Sequence, residues 1–290
     1  GTRWENTEQI LAVQRRLAVQ GWLAAEPTGV YDEATVESMR RFQEAHHVKP
    51  TGSFNDHSAE ELNVPCAQRL ATIRLNIKRW RHTARRPDVK TYVQVNLAGA
   101  EVTYVRDGEL KSRNRTVVGS GRWFWSRKQK RRVYPKKSPI LTDAISKVVV
   151  NPSWKIPSSI VRGEVLPRLE KDPNYLAKKG YIVRKGSSGF DQYVEPPSSH
   201  NTLGQVKLLF PNSESIYLHD TNQRGFFLNS RRDLSHGCIR VHNALDFAAS
   251  ILVDDFTAIG ERFRTRTIHK QSRNDRTFMY ALASDVPVFL

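Results

Sequence analysis

Thr91-Tyr92-Val93-Gln94-Val95-Asn96-Leu97 places an apolar side chain at every second position. Successive side chains of a strand point to opposite faces, so this spacing predicts a half-buried β-strand and not a helix. The alternation resumes at Val102 and Tyr104, and after an Asp107-Gly108 turn signal it returns at Arg115 to Val118. Asp-Gly favours the tight turns of hairpins, so an antiparallel meander opens a β-rich domain here. Further strands are expected at Lys147 to Val150, Val206 to Phe210 and Ser215 to His219, with a terminal strand at Val286-Pro287-Val288-Phe289-Leu290. Between Pro157 and Asn201 a helical stretch (Ile160 to Glu170) and a Gly/Ser/Pro-rich passage interrupt the strands. An insertion of that length is often a lid or binding element. Asn243 and Asp246 have the spacing of a capping box with Asp in place of Glu, which would open a helix running through Leu252.

Upstream of Thr91 the period is helical. Leu11, Gln14 and Leu17, then Val36, Met39 and Phe42, recur at helical spacing, every third residue. A short internal repeat accompanies them, Gly29-Val30-Tyr31-Asp32-Glu33-Ala34-Thr35 being echoed by Gly52-Ser53-Phe54-Asn55-Asp56-His57-Ser58. In each copy a glycine turn and an aromatic precede Asp32 or Asn55, residues suited to cap the helix that follows. Around Val64-Pro65-Cys66 the pattern breaks, and Arg69 to Trp80 reads as a helix with Leu70, Ile73, Ile77 and Trp80 on one side. The expected organisation is α+β and multidomain: a small three-helix module (1–64), a linker and bridging helix (65–90), and a mostly β domain (91–290) with a helical insertion at about 157–201.

Composition narrows the classes. The 290 residues are 39% hydrophobic and 26% charged, which suits a soluble globular chain of about two domains. No stretch approaches the roughly 18 apolar residues of a membrane span. Forty-six Lys and Arg against 29 Asp and Glu give a net charge of +17, which points to a polyanionic partner: nucleic acid, anionic lipid or an anionic cell-envelope polymer. The only cysteines are Cys66 and Cys238, too few for a disulfide scaffold or a four-cysteine zinc site, although a single bridge stays open in an oxidising compartment. The sequence opens Gly1-Thr2 without an initiator methionine, as expected of a trimmed or mature form, from which any signal peptide would already be missing, so that its absence says nothing about secretion.

The chemistry concentrates at Tyr217-Leu218-His219-Asp220 and, sixteen residues after the histidine, Ser235-His236-Gly237-Cys238-Ile239-Arg240. A free thiol is only a few per cent ionised at neutral pH, so a nucleophilic cysteine needs an imidazole or a positive field nearby. His219 and His236 offer the imidazole and Arg240 the field. Gly237 lets the backbone bend so that neighbouring amides can face a substrate oxygen. The plainer alternatives are a buried structural cysteine, a hydrogen-bonded strand-end histidine at 219 and a structural His236. A zinc site from His219, His236, Cys238 and His242 is disfavoured, because no His-x-x-x-His or His-Glu-x-x-His pair is present.

Two resemblances follow. Val13-Gln14, Gly21-Trp22, Gly29, Thr35, Phe42-Gln43 and Gly52 resemble the peptidoglycan-binding type 1 domain across nearly all of residues 7 to 64. The His219 to Cys238 arrangement resembles the L,D-transpeptidase (YkuD-type) signature over about residues 90 to 255. Asn151-Pro152-Ser153-Trp154, Leu203-Gly204, Phe210-Pro211-Asn212 and Tyr217 to Thr221 look like the larger Gram-negative members with a substrate-capping insertion. The resemblance implies Cys238 as nucleophile, His219 as general base oriented by the Asp220 carbonyl, and an oxyanion hole from the Gly237 and Cys238 amides. His236 would shape the site, Arg240 would match the family's Asn/Arg position, and Tyr217, Trp154 and Ser235 would meet the substrate. It implies no metal and no organic cofactor, peptidoglycan tetrapeptide stems and glycan as partners, and a place in the periplasm or cell envelope. It further implies 3→3 cross-linking, roles in wall biogenesis and cell shape, and carbapenems as inhibitors. Water, a D-amino acid or a protein lysine are alternative acceptors, and a hydrolytic enzyme or a silent wall-binding protein are alternative roles.

One segment departs from that family. Arg106 to Lys137 holds twelve basic and two acidic residues and includes Trp123-Phe124-Trp125, where the family runs more directly to a Thr-Pro, here Ser138-Pro139. A recognition helix or an aromatic-studded RNA-binding sheet is absent from the sequence pattern, so nucleic acid is not the expected partner. The loop at 122–137 is expected to grip an anionic envelope polymer or lipid head group. Neutralising Arg127, Lys128, Lys130, Arg131 and Arg132 together should weaken binding to isolated sacculi and flatten its salt dependence; unchanged binding would contradict this reading.

Overall fold

The computed structural model describes residues 6–83, 88–186, 189–252, 261–274 and 276–290. Residues 84–87 of the expected linker and 187–188 of the expected insertion lie outside them, as does the Gly1-Thr2 start. The chain folds into two compact units, residues 1–88 with 228–231 and residues 89–227 with 232–290.

The first unit contains α1 (Thr7–Val19), α2 (Glu33–Ala45), α3 (Asp56–Leu62) and α4 (Cys66–Thr83). Leu17, Leu23, Met39, Phe42 and Leu62 form its core. Asp32 and Asn55 cap α2 and α3 by accepting the Thr35 and Ser58 amides, at 2.9 and 3.0 Å. The internal repeat has a physical cause in two buried glutamines. Gln14 accepts the Gly29 amide (2.8 Å) and donates to the Val30 carbonyl and the Thr35 hydroxyl. Gln43 does the same one helix later, accepting the Gly52 amide (2.9 Å) and donating to the Ser53 carbonyl and the Ser58 hydroxyl. Both glycines have positive φ, +78° and +74°, which a side chain would resist. In α4 the stripe of Leu70, Ile73, Ile77 and Trp80 remains 46–55% exposed.

The second unit is built on a nine-stranded sheet. Its strands are β1 (Tyr92–Asn96), β2 (Glu101–Arg106), β3 (Glu109–Gly119), β6 (Thr142–Val150), β10 (Val206–Leu209), β11 (Leu218–His219), β12 (Asp233–Ser235), β13 (Ile239–Val241) and β14 (Phe278–Phe289). The order is β12-β3-β13-β11-β10-β6-β14-β1-β2, and β2 also pairs with β3, which closes the sheet into a barrel-like form. The meander of β1, β2 and β3 is antiparallel, and Asp107 and Gly108, both at positive φ, make its second turn. The barrel core joins Val93, Val102, Tyr104, Ile145, Val148, Leu208, Leu218, Ile239 and Val288, all fully buried, with α8 (Ala244–Leu252) packed against them. The fold is therefore α+β and multidomain: a helical module and a mostly β domain.

The insertion forms a small body of its own. It combines β7 (Trp154–Lys155), β8 (Ile182–Lys185) and β9 (Asp191–Glu195) with α5 (Ser158–Ile160), a π-helical turn at Val161–Val165, α6 (Leu166–Lys171) and α7 (Tyr175–Lys179). Ile156, Val161 and Val165 make its core, with Trp154 packed against them. The basic loop carries a short hairpin of β4 (Phe124–Ser126) and β5 (Arg131–Val133), which leaves Trp123, Phe124 and Trp125 exposed and sets the Arg132 guanidinium 4.2 Å from the Trp123 ring centroid.

Three local expectations need correction. Only Leu218 and His219 join the ladder at 215–219, because the Asn212 side-chain amide bonds both the amide and the carbonyl of Ile216, at 3.0 and 2.8 Å, in place of a neighbouring strand. The terminal strand is longer than 286–290, since Phe278–Ala281 also pairs with β6 on the far side of a bulge. No capping box forms before α8: Asn243 stands in the left-handed region (φ 52°), and Asp246 accepts from His269 Nε2 at 2.8 Å.

Candidate active site

The site is assembled by register. Lys207 of β10 pairs with His219 of β11, and His219 pairs with Arg240 of β13. Paired residues share a face and residues two apart on one strand share it too, so Lys207, Tyr217, His219, Cys238 and Arg240 project from one side of the sheet. Val206, Leu208, Leu218, Ile239 and Val241 fill the other side and are fully buried.

His219 is buried, its Nδ1–H donates to the Asp220 carbonyl at 2.5 Å, and the Leu203 carbonyl faces the same ring. Burial, followed by the positive charges of Arg240 and Lys207, lowers its pKa to about 3, so the imidazole is neutral. Cys238 is partly buried, with Sγ 3.9 Å from the Ser215 carbonyl. Burial pushes the thiol above the ordinary cysteine range, and contacts from Tyr217 with the charges of Arg240 and Lys207 offset only part of that. Tyr217 lies 5.6 Å from the His219 ring, and its hydroxyl engages the Trp154 indole and the Cys238 thiol, which brings the insertion's first strand to the site.

The turn into Cys238 is tied on both sides. Ser235 Oγ donates to the Cys238 carbonyl (2.6 Å) and accepts the Gly237 amide (3.1 Å). Gly237 has φ +129°, a conformation that side chains rarely adopt. Ser138 Oγ donates to the Gly237 carbonyl (2.6 Å) and accepts the Gly119 amide (2.8 Å), so the end of β3 holds the cysteine turn. A Cβ on Gly119 would strike the backbone of Lys136 to Ser138.

His236 points away from Cys238 chemistry and toward the insertion. Its Nε2 lies 2.6 Å from Glu164 Oε1 and 2.7 Å from Lys136 Nζ. The bonds and charges of His236 and Lys136 outweigh desolvation and hold the Glu164 carboxyl below its usual range. His242 packs on Phe227 at 5.1 Å. His236 and His242 are thus engaged away from His219 and Cys238, and among the described residues no group of three His, Cys, Asp or Glu is placed to hold a metal.

The structure brings Cys238, His219, the Asp220 carbonyl, Tyr217, Trp154, Ser235, Gly237 and Arg240 into one neighbourhood. It leaves Cys238 and His219 without a direct hydrogen bond, each held by a backbone carbonyl instead. Sequence reasoning passed over Lys207 and Glu164, and named Ser138 only as the counterpart of the family's Thr-Pro, with no part in the site. The Asp220 side chain also has partners of its own: that buried carboxylate accepts the Gln205 amide (3.0 Å), pairs with Arg224 (3.3 Å) and occupies the space that a Cβ on Gly204 would need.

Residues 90–259 match the YkuD family, L,D-transpeptidase catalytic domain, and residues 6–57 match the "Putative peptidoglycan binding domain" family. The chain belongs to the YkuD L,D-transpeptidase family, with a peptidoglycan-binding-type domain preceding the catalytic one. A curated Haemophilus influenzae protein named "Putative L,D-transpeptidase" is 30% identical over 248 residues, which cover 80% of this chain and 45% of that protein. The chain thus spans under half the length of that relative. Solved L,D-transpeptidases from Xylanimonas cellulosilytica and Enterococcus faecium are 16% and 12% identical. They cover 100% and 69% of this chain, and 96% and 49% of their own, with TM-scores of 0.33 and 0.27, too low to carry an argument.

The Ser138 tie generates a direct expectation. Ser138→Ala removes one hydroxyl and leaves the Gly119 amide and the Gly237 carbonyl unpaired in a buried place, which should cost about 1–3 kcal/mol. Urea unfolding of the full chain measures it, with Ser138→Thr expected to keep the stability; an Ala variant as stable as the parent would contradict the tie.

Proposed function

We propose that this chain is an extracytoplasmic peptidoglycan L,D-transpeptidase that forms 3→3 cross-links through a thioester on Cys238. The observation that carries the reading is the shared face of β11 and β13, where a neutral, carbonyl-oriented imidazole stands in the strand beside the cysteine. We assign residues 1–64 to wall binding, 65–90 to a linker and bridging helix, and 91–290 to catalysis, with the insertion at about 157–201 as a cap over the donor.

In the first step His219 takes the Sγ proton as the sulfur attacks the carbonyl of the diaminopimelate L-centre of a tetrapeptide stem. The bond from that carbonyl to the terminal D-Ala nitrogen breaks, a thioester forms, and the proton held on His219 passes to the departing amine. In the second step the side-chain amine of another stem's diaminopimelate attacks the thioester, His219 takes its proton, and the thiolate leaves and is reprotonated. The amide of Cys238 faces the developing oxyanion, and that of Gly237 joins it by exchanging the Ser235 Oγ for the substrate oxygen. Because His219 is neutral and the thiol protonated at rest, the sulfur becomes charged as it attacks and not beforehand.

Peptidoglycan is the partner of both halves of this reading. Within it the exposed basic hairpin is a further contact with anionic wall or membrane material, its aromatic faces meeting sugar rings. The test is intact-protein mass spectrometry after incubation with disaccharide-tetrapeptide, the parent beside Cys238→Ala, with products analysed from the same tubes. An adduct on the parent alone, together with 3→3 dimers, is the expected result. An adduct that releases only tripeptide would make the enzyme a hydrolase, and no adduct would make it a silent wall-binding protein.

A further inference from the structure

Lys207 has no part in the acyl transfer just described, yet it stands at its centre. The row Lys207–His219–Arg240 crosses three adjacent strands with the imidazole in the middle. Strands lie about 4.8 Å apart, so the two outer backbones are separated by roughly 10 Å, a gap that two long cationic side chains can span from both ends to hold one carboxylate. Lys207 is half-buried, with Nζ 5.7 Å from the Tyr217 ring centroid. The Arg240 guanidinium donates from Nη1 to Gln223 Oε1 (3.0 Å) and lies 5.6 Å from the Phe226 ring, while its Nε is buried without a hydrogen-bond partner.

Among the described residues, no acidic side chain lies within ion-pair distance of either cation. That is unusual for partly buried charges, which fold at a cost unless something neutralises them. Burial pushes both toward their neutral forms, and both are coupled electrostatically to Cys238. Their fields therefore converge where the donor must lie. Other cations of the described residues are placed differently: Lys136 pairs with Glu164, the buried Arg232 donates to the Thr116 and Gly99 carbonyls, and the hairpin cations are exposed.

We propose that Lys207 and Arg240 form a two-point receptor for a carboxylate of the donor stem, seated across the His219 row beside the Cys238 thiol. The inference rests on the acyl-transfer reading for the identity of the donor. A tetrapeptide stem offers two carboxylates of the same chemistry near its scissile bond, one on the terminal D-Ala and one on the diaminopimelate D-centre. Lys207 is the specificity-determining member: an ammonium on a flexible stem, set against a planar guanidinium already fixed by Gln223. Receptor occupancy aligns the scissile carbonyl with the sulfur, so neutral donors would bind poorly even with the nucleophile and base intact.

The experiment is calorimetric binding of disaccharide-tetrapeptide to the full chain carrying Cys238→Ala, which forms no thioester. Adding Lys207→Met should weaken binding by about tenfold or more, as expected for loss of a charge-assisted hydrogen bond, whereas Lys207→Arg should hold it within about threefold. Two donors, one amidated at the terminal D-Ala and one at the diaminopimelate D-centre, identify the carboxylate. For the donor whose receptor-bound carboxylate is gone, Lys207→Met should change nothing further. Binding unaffected by Lys207→Met, weakened alike for all three donors, or absent in the Cys238→Ala chain would overturn the receptor. None of these results decides acylation, which is read separately from the adduct on the parent chain.

Discussion

The pairing register of β10, β11 and β13 is the constraint on which the site depends. Side chains alternate with a period of two, so slipping any of these strands by one residue would send its functional side chain into the barrel and an aliphatic one to the site. The opposite face prevents the slip: Val206, Leu208, Leu218, Ile239 and Val241 are fully buried, and moving them into solvent would cost about 1.5–3 kcal/mol each. The strands themselves are short, two to four residues, and would hold register poorly alone. The ends are therefore pinned by side chains that replace missing ladder bonds. Asn212 closes the loop before β11, the Asp220 carboxylate packs against Gly204 after it, and Ser138 joins Gly119 to the turn before β13.

Much of this was legible in the sequence because it is written in local periods. The alternation from Thr91 onward, the Asp107-Gly108 turn and the helical spacing before residue 64 all report on neighbours in the chain. The proposed nucleophile and base were legible for a different reason: neither residue is unusual alone, and it is His219 standing sixteen residues before Ser235-His236-Gly237-Cys238 that marks them together. What escaped acts over long separations. Ser138 meets Gly237 across 99 positions, and Glu164 meets His236 across 72. Lys207 was invisible because a lysine on the polar side of a strand is ordinary; only the register shows that it faces His219. The internal repeat was seen, but its cause, a buried glutamine satisfying each glycine turn, required the helices to be packed.

The electrostatics of the site follow from burial more than from pairing. The sequence suggested that a positive field would raise the thiolate fraction of Cys238; in the structure desolvation outweighs that field, and the thiol moves up. The same burial, with Arg240 and Lys207 behind it, keeps His219 uncharged. A pair that is neutral at rest avoids the cost of two buried ions and leaves no thiolate exposed to oxidation between turnovers. It also makes catalysis depend on what the substrate contributes, which is where two unpaired cations beside the thiol acquire a use.

That resting neutrality is the central claim, and the alkylation rate of Cys238 as a function of pH tests it most directly, measured with iodoacetamide on a chain in which Cys66→Ser leaves one thiol. The rate should stay low through neutral pH and climb only above the ordinary cysteine range, in one step with no plateau. A plateau already established below pH 7, rising with the titration of an imidazole, would show a thiolate–imidazolium pair and contradict the account.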